Sequence, residues 1–186
     1  MQSLASMTLT PPLLPYETLA RVTRLAKLDG TGVLAIAGAF AVGSAAVGDY
    51  SGAAIGVLLA GAGACELHGV SLLHLGQSRG VQWLIGSQLY LLVTVLAYAA
   101  WRLTNYDPEL MRRLAEPILQ SPDAQAKLKE AGATPDDLLA MVRLLYQVGY
   151  GAVGVLTLLY QGGMIRYYQR RRAAIEAALA EPAVAE

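Results

Sequence analysis

Apolar residues in this chain gather into four long runs that are separated by short polar segments. Each run reaches the roughly 20 residues that an α-helix needs to cross a hydrocarbon core about 30 Å thick. The predicted crossings cover residues 30–48, 51–77, 81–102 and 137–165. Only two or three residues separate the first three crossings, which predicts two tight antiparallel hairpins. We therefore expect an all-α integral membrane protein whose four transmembrane helices form a bundle.

The segments outside these runs are polar and are expected to contain short helices. Residues 1–29 are predicted to form a proline-containing tail followed by an amphipathic helix at the membrane interface. In residues 103–136, a capping side chain, a proline and an acidic residue recur together three times. This pattern marks three helix starts, so we expect two short amphipathic helices and then the fourth crossing. Residues 166–186 are predicted to form a cytoplasmic helix and a frayed tail.

The first of the two short helices has an apolar side. Its apolar residues recur at helical spacing, which favours a position along the membrane surface or over the end of the bundle. The residues concerned are Leu110, Met111, Leu114 and Ile118.

Composition agrees with a lipid-embedded chain and excludes some classes of function. Hydrophobic residues make up 55% of the 186 positions and charged residues 15%, below the roughly 25% of soluble domains. The 14 basic and 14 acidic residues cancel, so the chain lacks the basic field that nucleic-acid binding needs. No nucleophile motif, phosphate-binding loop or metal signature occurs. The sequence therefore predicts no catalytic residue, no cofactor and no metal site.

The distribution of Lys and Arg predicts the orientation in the membrane. Eight of them flank the side that carries the N-terminus and six the other side. The Arg170-Arg171-Arg172 cluster closely follows the fourth crossing, where the positive-inside rule applies most directly. Tyr167 and Tyr168 are expected to anchor the same helix end at the interface. We predict that the chain is a multi-pass protein of the cell membrane, of the inner-membrane type. Both termini are expected in the cytoplasm.

Small residues recur at four-residue spacing along the first two crossings and predict close helix packing. Lipid tails give helices no hydrophobic drive to associate, so small side chains that let backbones approach are the main signal of contact. Two such faces per helix predict one face inside the protomer and one in a homo-oligomer. A monomer in which Gly and Ala are ordinary filler is the alternative. The predicted packing residues are Ala39, Gly43, Gly52, Gly56, Ala60, Gly61 and Gly69.

One acidic residue, Glu66, lies near the middle of a predicted crossing. A charge there costs roughly 2.5–3.5 kcal/mol on insertion scales, so such an acid is normally turned inward with a partner or a task. At about 100° per residue, His74 and Gln77 continue the same helix face toward the cytoplasmic end. This pattern predicts a site for an ion, a proton or a substrate group, and hydrogen bonding between helices is the alternative. Other polar residues that can line the same interior are Gln88, Gln147 and Tyr150.

These observations favour a small channel or transporter subunit with a polar site around Glu66. Its expected partners are the lipid bilayer, a small ion or proton and further copies of the chain. A non-transporting scaffold or accessory subunit is the alternative, with the C-terminal arginine helix contacting a partner. A membrane enzyme or cofactor anchor is a weaker alternative, because His68 and His74 lie on different faces of one helix and cannot jointly ligate a haem.

Overall fold

In a computed structural model, which describes residues 14–106 and 108–180, every regular element is an α-helix. Four of the helices are long and apolar enough to cross a membrane: α1, α2, α3 and α6. The predicted all-α class with four spans is therefore confirmed. The six helices are α1 (Pro15–Ala46), α2 (Tyr50–His74), α3 (Gly80–Thr104), α4 (Pro108–Leu119), α5 (Pro122–Glu130) and α6 (Pro135–Ala180).

Two segments that were expected as separate helices are continuous with a crossing. The amphipathic segment before residue 30 belongs to α1, and the C-terminal arginine segment belongs to α6. Gly30 and the Gly162-Gly163 pair do not interrupt these helices, because none of them has the positive φ that ends a helix. The apolar side predicted for α4, formed by Leu110, Met111, Leu114 and Ile118, lies outside the described side chains.

Three glycines end helices in the same way. Gly48, Gly76 and Gly132 have φ values of 78°, 73° and 65°, and they follow α1, α2 and α5. In each case the next residue donates its backbone N–H to a carbonyl five positions back, as Asp49 does to Ser44 over 2.9 Å. This is the Schellman arrangement, which needs a residue that tolerates the left-handed conformation. The two hairpin turns are thus set by local backbone chemistry.

The start of α6, one of the three helix starts that the sequence predicts, is a capping box. The backbone N–H of Asp137 donates to Thr134 Oγ1 over 3.2 Å, and the backbone N–H of Thr134 donates to Asp137 Oδ2 over 2.8 Å. These two bonds satisfy backbone donors that a helix start leaves without partners.

The described chain divides into two compact units, which we treat separately. The first contains residues up to Leu89 and from Gly163 onward, and the second contains Tyr90–Gly162. The core of the first unit draws side chains from α1, α2, the start of α3 and the end of α6. Its buried members are Val22, Ala26, Val70, Leu73, Val81, Leu84, Met164, Tyr168 and Ile175.

Glycines bring α1 and α2 into backbone contact. A Cβ added to Gly56 would lie 2.7 Å from the Cβ of Ala41 and 2.8 Å from its backbone nitrogen. A Cβ added to Gly63 would lie 2.6 Å from the carbonyl oxygen of Gly30. Since side chains cannot approach backbone atoms so closely, only glycine fits at these positions.

The other small residues of α1 and α2 fall on different faces. Gly52 and Gly69 are buried, and Ala60 and Gly61 are half-buried. Ala39 and Gly43 of α1 are exposed. The residues of α1 that are buried in this part of the helix are Ala37, Ala41 and Ser44 instead. The row through Ala39 and Gly43 therefore has no packing role within the hairpin.

We expect Gly56→Ala to destabilise the folded protein by about 1–3 kcal/mol, because its Cβ overlaps the backbone of Ala41. Gly38→Ala is the matched control, since a Cβ there meets nothing within 4 Å. Alanine is also favoured over glycine in helices by up to about 1 kcal/mol. Equilibrium unfolding in mixed micelles, followed by circular dichroism, measures both variants. Equal destabilisation by the two substitutions would contradict the backbone contact.

Candidate functional site

The first unit contains a polar cluster to which four helices each contribute one side chain. Asp29 comes from α1, Glu66 from α2, Gln88 from α3 and Tyr168 from α6. We term these four residues the carboxyl–amide cluster. Glu66, Gln88 and Tyr168 are 2%, 1% and 0% exposed, whereas Asp29 is half-buried. Polar atoms at such depth require partners inside the protein.

Close packing of α1 on α2 brings the two acids to the same level. Where the helices cross, a Cβ added to Gly30 would lie 3.1 Å from the carbonyl oxygen of Gly63 and 3.2 Å from the Cβ of Glu66. Asp29 directly precedes this contact. The hairpin therefore places a second carboxyl group beside Glu66.

The position of Glu66 along α2 also defines its level. At about 1.5 Å per residue, Glu66 lies about 24 Å from the start of the helix at Tyr50. It is thus nearer to the α2–α3 turn than to the α1–α2 turn. A hydrocarbon layer of about 30 Å that begins at the α1–α2 turn would place Glu66 in its far half and not at its midplane.

Three hydrogen bonds hold the cluster together. Gln88 Nε2 donates to Glu66 Oε1 over 2.9 Å and to Asp29 Oδ2 over 3.0 Å. The hydroxyl group of Tyr168 donates to the same Glu66 Oε1 over 2.8 Å. One amide nitrogen and one carboxyl oxygen therefore connect four helices.

The two acids interact with each other as well as with Gln88. Asp29 acts electrostatically on Glu66 and lies within hydrogen-bonding reach of its side chain. Two carboxylates this close repel each other strongly in a low-dielectric interior. A proton or a small cation bound between them relieves that repulsion. The chemistry of the cluster is therefore suited to exchange of a positive charge.

The amide of Gln88 has a fixed orientation. Its Oε1 atom is buried and accepts no hydrogen bond from the described residues. A buried acceptor without a partner costs roughly 1–3 kcal/mol. The amide directs both N–H groups toward carboxyl oxygens, and these two hydrogen bonds offset that cost.

Of the predicted polar residues, the structure brings together Glu66 and Gln88. His74 is exposed at the end of α2. Gln77 lies in the α2–α3 turn, where its Oε1 accepts a hydrogen bond from Arg79 Nε over 2.7 Å. The stripe predicted along α2 therefore does not extend from Glu66 to these two side chains. His68, on another face, is exposed and packs edge-on against a tryptophan ring with centroids 4.7 Å apart.

Gln147 and Tyr150 belong to the second unit. Gln147 is exposed there. Tyr150 packs against Tyr146, with ring centroids 4.7 Å apart, and the guanidinium carbon of Arg102 lies 5.8 Å from the Tyr150 ring centroid. These contacts give Tyr150 an aromatic and cation–π environment within its own unit.

Sequence reasoning missed Asp29 and Tyr168. Asp29 was expected on a separate surface helix and Tyr168 in an interfacial aromatic belt, but Asp29 lies in the continuous α1 and Tyr168 is fully buried. Helical spacing offers a signal for Tyr168, because Met164 and Ile175 lie four residues before it and seven after it on the same apolar face. Asp29 carries no comparable local signal. Its role follows from the level at which α1 crosses α2.

Comparisons of the chain with protein-family models, with curated proteins and with solved structures give no match. Two carboxyl groups, an amide and a phenol are joined by hydrogen bonds, and the half-buried Asp29 is the most exposed of the four. Such groups can bind and release a proton or coordinate a small cation through oxygen atoms.

We expect Tyr168→Phe to destabilise the protein by roughly 1–3 kcal/mol, because the buried Glu66 loses a hydrogen-bond donor while the ring packing remains. Tyr167→Phe makes the same chemical change at a half-buried neighbour and is expected to cost less than about 0.5 kcal/mol. Thermal unfolding in detergent micelles compares the two variants. A Tyr168→Phe protein as stable as Tyr167→Phe would show that the hydroxyl does not stabilise Glu66.

Proposed function

We propose that this chain is a small polytopic membrane transport subunit that binds and releases a proton at the Asp29–Glu66 pair. The observation that carries the proposal is a fully buried glutamate, on a helix suited to span the membrane, next to a second, half-buried acid. Acids inside membrane helices are costly, and they commonly belong to ion pathways and proton relays. Asp29 provides the route between the surroundings and Glu66.

Protonation would act on contacts between helices. Gln88 binds both acids through one amide, so a proton on either acid weakens one of its two hydrogen bonds. A proton on Glu66 also weakens the bond from the Tyr168 hydroxyl, since a neutral acid is a poorer acceptor than a carboxylate. The proton therefore biases the positions of α3 and α6 relative to α2. This is the coupling that a transport cycle needs.

The proposed subunit works as a homo-oligomer in a cell membrane with both termini in the cytoplasm. Ala39 and Gly43 are exposed small residues on a membrane-suited helix, and such residues permit close contact with a further helix. The orientation rests on the excess of Lys and Arg near the N-terminal segment and near the end of α6.

A second candidate function is a non-transporting scaffold or accessory subunit. The observation that favours it is that three hydrogen bonds in the carboxyl–amide cluster already connect four helices. Buried polar side chains can hold membrane helices together without moving an ion. In this case Glu66 determines packing alone.

Proton flux into liposomes separates the two functions. The full chain is reconstituted with a pH-sensitive dye inside the vesicles, and a potassium gradient with valinomycin drives proton entry. We expect Glu66→Gln to lower the flux at least about tenfold, because the amide keeps a hydrogen-bond acceptor but does not exchange the proton. Asp29→Asn is expected to lower it as well. Glu17→Gln, at an exposed acid of α1, is the matched control and is expected to leave the flux unchanged.

Three other outcomes would contradict or change the transport proposal. Wild-type protein that moves no proton under either sign of the imposed potential would refute the transport proposal. Glu66→Gln protein with normal flux but loss of helix packing, seen as early thermal unfolding, would favour the scaffold. If the protein transports sodium and not protons, the ion that binds at the Asp29–Glu66 pair is a small cation and not a proton.

A further inference from the structure

A pocket of about 310 Å³ lies on the surface of α6, directly after its long apolar stretch. We term it the arginine pocket. Three of its lining residues are arginines and none is acidic. The pocket lies entirely in the first unit. Its lining residues are Gly163, Arg166, Tyr167, Arg170 and Arg171.

The arginine pocket and the protein core use different faces of α6. At about 100° per residue, Gly163, Arg166 and Arg170 fall close together on the helix circumference. The buried Tyr168 and Ile175 lie roughly 145–165° away from the centre of that face. The pocket is thus separate from the carboxyl–amide cluster, and binding of a ligand there does not require proton transport.

The charges around the pocket are not balanced within it. Arg166 and Arg170 are exposed and lie one turn apart, an arrangement of like charges that disfavours a helix. The guanidinium carbon of Arg171 lies 5.8 Å from the ring centroid of Tyr167, a cation–π contact that positions the guanidinium at the pocket wall. An anion bound in the pocket would form charge-assisted hydrogen bonds with these positive groups.

The neighbouring Arg172 is used differently. Its Nε atom donates to Glu176 Oε1 over 2.7 Å, an ion pair one turn along the helix. Helical geometry places this pair on the side of α6 away from the pocket. The helix therefore carries one arginine with an acidic partner next to a group of arginines directed toward a cavity.

We propose that the arginine pocket binds the phosphate group of an anionic phospholipid. Guanidinium groups match the oxygens of a phosphate in bidentate geometry, and Arg is the preferred side chain for this recognition. The 46 residues of α6 extend over about 69 Å, so the helix continues beyond a hydrocarbon layer of about 30 Å. The pocket lies where the apolar stretch of α6 gives way to arginines, and basic clusters next to a membrane-spanning segment recognise anionic lipids.

Retention of lipid by the purified full chain tests this site. Native mass spectrometry from a neutral detergent counts the bound lipid at equal concentrations of phosphatidylglycerol and phosphatidylcholine. We expect about tenfold greater retention of phosphatidylglycerol. Arg166→Gln and Arg170→Gln are each expected to lower that retention about tenfold, the size of effect typical for one charge-assisted contact. Arg172→Gln removes the same charge from the same helix and is expected to change retention less than twofold.

A second pair of variants tests the shape of the pocket without changing its charge. Gly163→Leu places a side chain on the pocket lining, and Gly162→Leu places the same side chain one position earlier, outside it. Both glycines are exposed and a Cβ at either meets nothing within 4 Å, so we expect both variants to fold. Retention of phosphatidylglycerol is expected to fall only for Gly163→Leu.

Three outcomes would overturn the proposal. Equal losses for Arg170→Gln and Arg172→Gln would show that total charge, and not a site, attracts the lipid. Equal retention of phosphatidylcholine would show that the pocket does not select an anionic headgroup. Displacement of phosphatidylglycerol by millimolar inorganic phosphate would identify a free phosphate ion as the ligand.

Discussion

A carboxyl group that has left water must find hydrogen-bond donors within the protein, and in this chain Glu66 imposes that demand on four helices. Its donors come from α3 and α6, and the donor on α3 also binds Asp29 on α1. Tyr168 on α6 is 102 residues from Glu66 in the sequence. Satisfying one buried side chain therefore defines where segments of the whole first unit lie with respect to one another.

The glycine contacts and the carboxyl–amide cluster depend on each other. Gly63 and Gly30 let α1 approach α2 to a distance that no larger residue permits, and Asp29 lies next to that crossing. Gly69 and Gly80 have the same role between α2 and α3, where a Cβ added to Gly80 would lie 2.6 Å from the Gly69 carbonyl oxygen. Because N–H···O hydrogen bonds span about 2.7–3.2 Å, a wider helix spacing would separate Gln88 from both acids.

The parts of the fold that the sequence predicts are those set by local chemistry. Apolar length determines the four spans, and the recurring pattern of a capping side chain, a proline and an acid marks the starts of α4, α5 and α6. Glu66 is conspicuous because an acid inside an apolar run is costly wherever the chain folds. Gln88 follows from the short α2–α3 turn, which sets it near the level of Glu66.

Asp29 and Tyr168 could not be predicted by the same means, because their roles depend on tertiary register. An acid just before an apolar run and a tyrosine just after one both resemble interfacial residues. Tertiary structure alone distinguishes these two residues from interfacial ones. Helix α1 crosses α2 at Gly30, and α6 buries Tyr168 on its inner side. The predicted stripe through His74 and Gln77 assumed that all three residues share one helix face. Because α2 ends at His74, Gln77 lies beyond the helix and does not share that face with Glu66.

The last part of α6 contributes to both the carboxyl–amide cluster and the arginine pocket. One face of this segment presents Tyr168 to Glu66, and another presents the arginine pocket to the surroundings. A lipid that holds the segment in place would favour the arrangement in which the Tyr168 hydroxyl reaches a charged Glu66. By thermodynamic linkage, loss of the proton from Glu66 would then strengthen lipid binding by the same factor. A single helix segment is sufficient for that coupling, because both groups belong to one continuous helix.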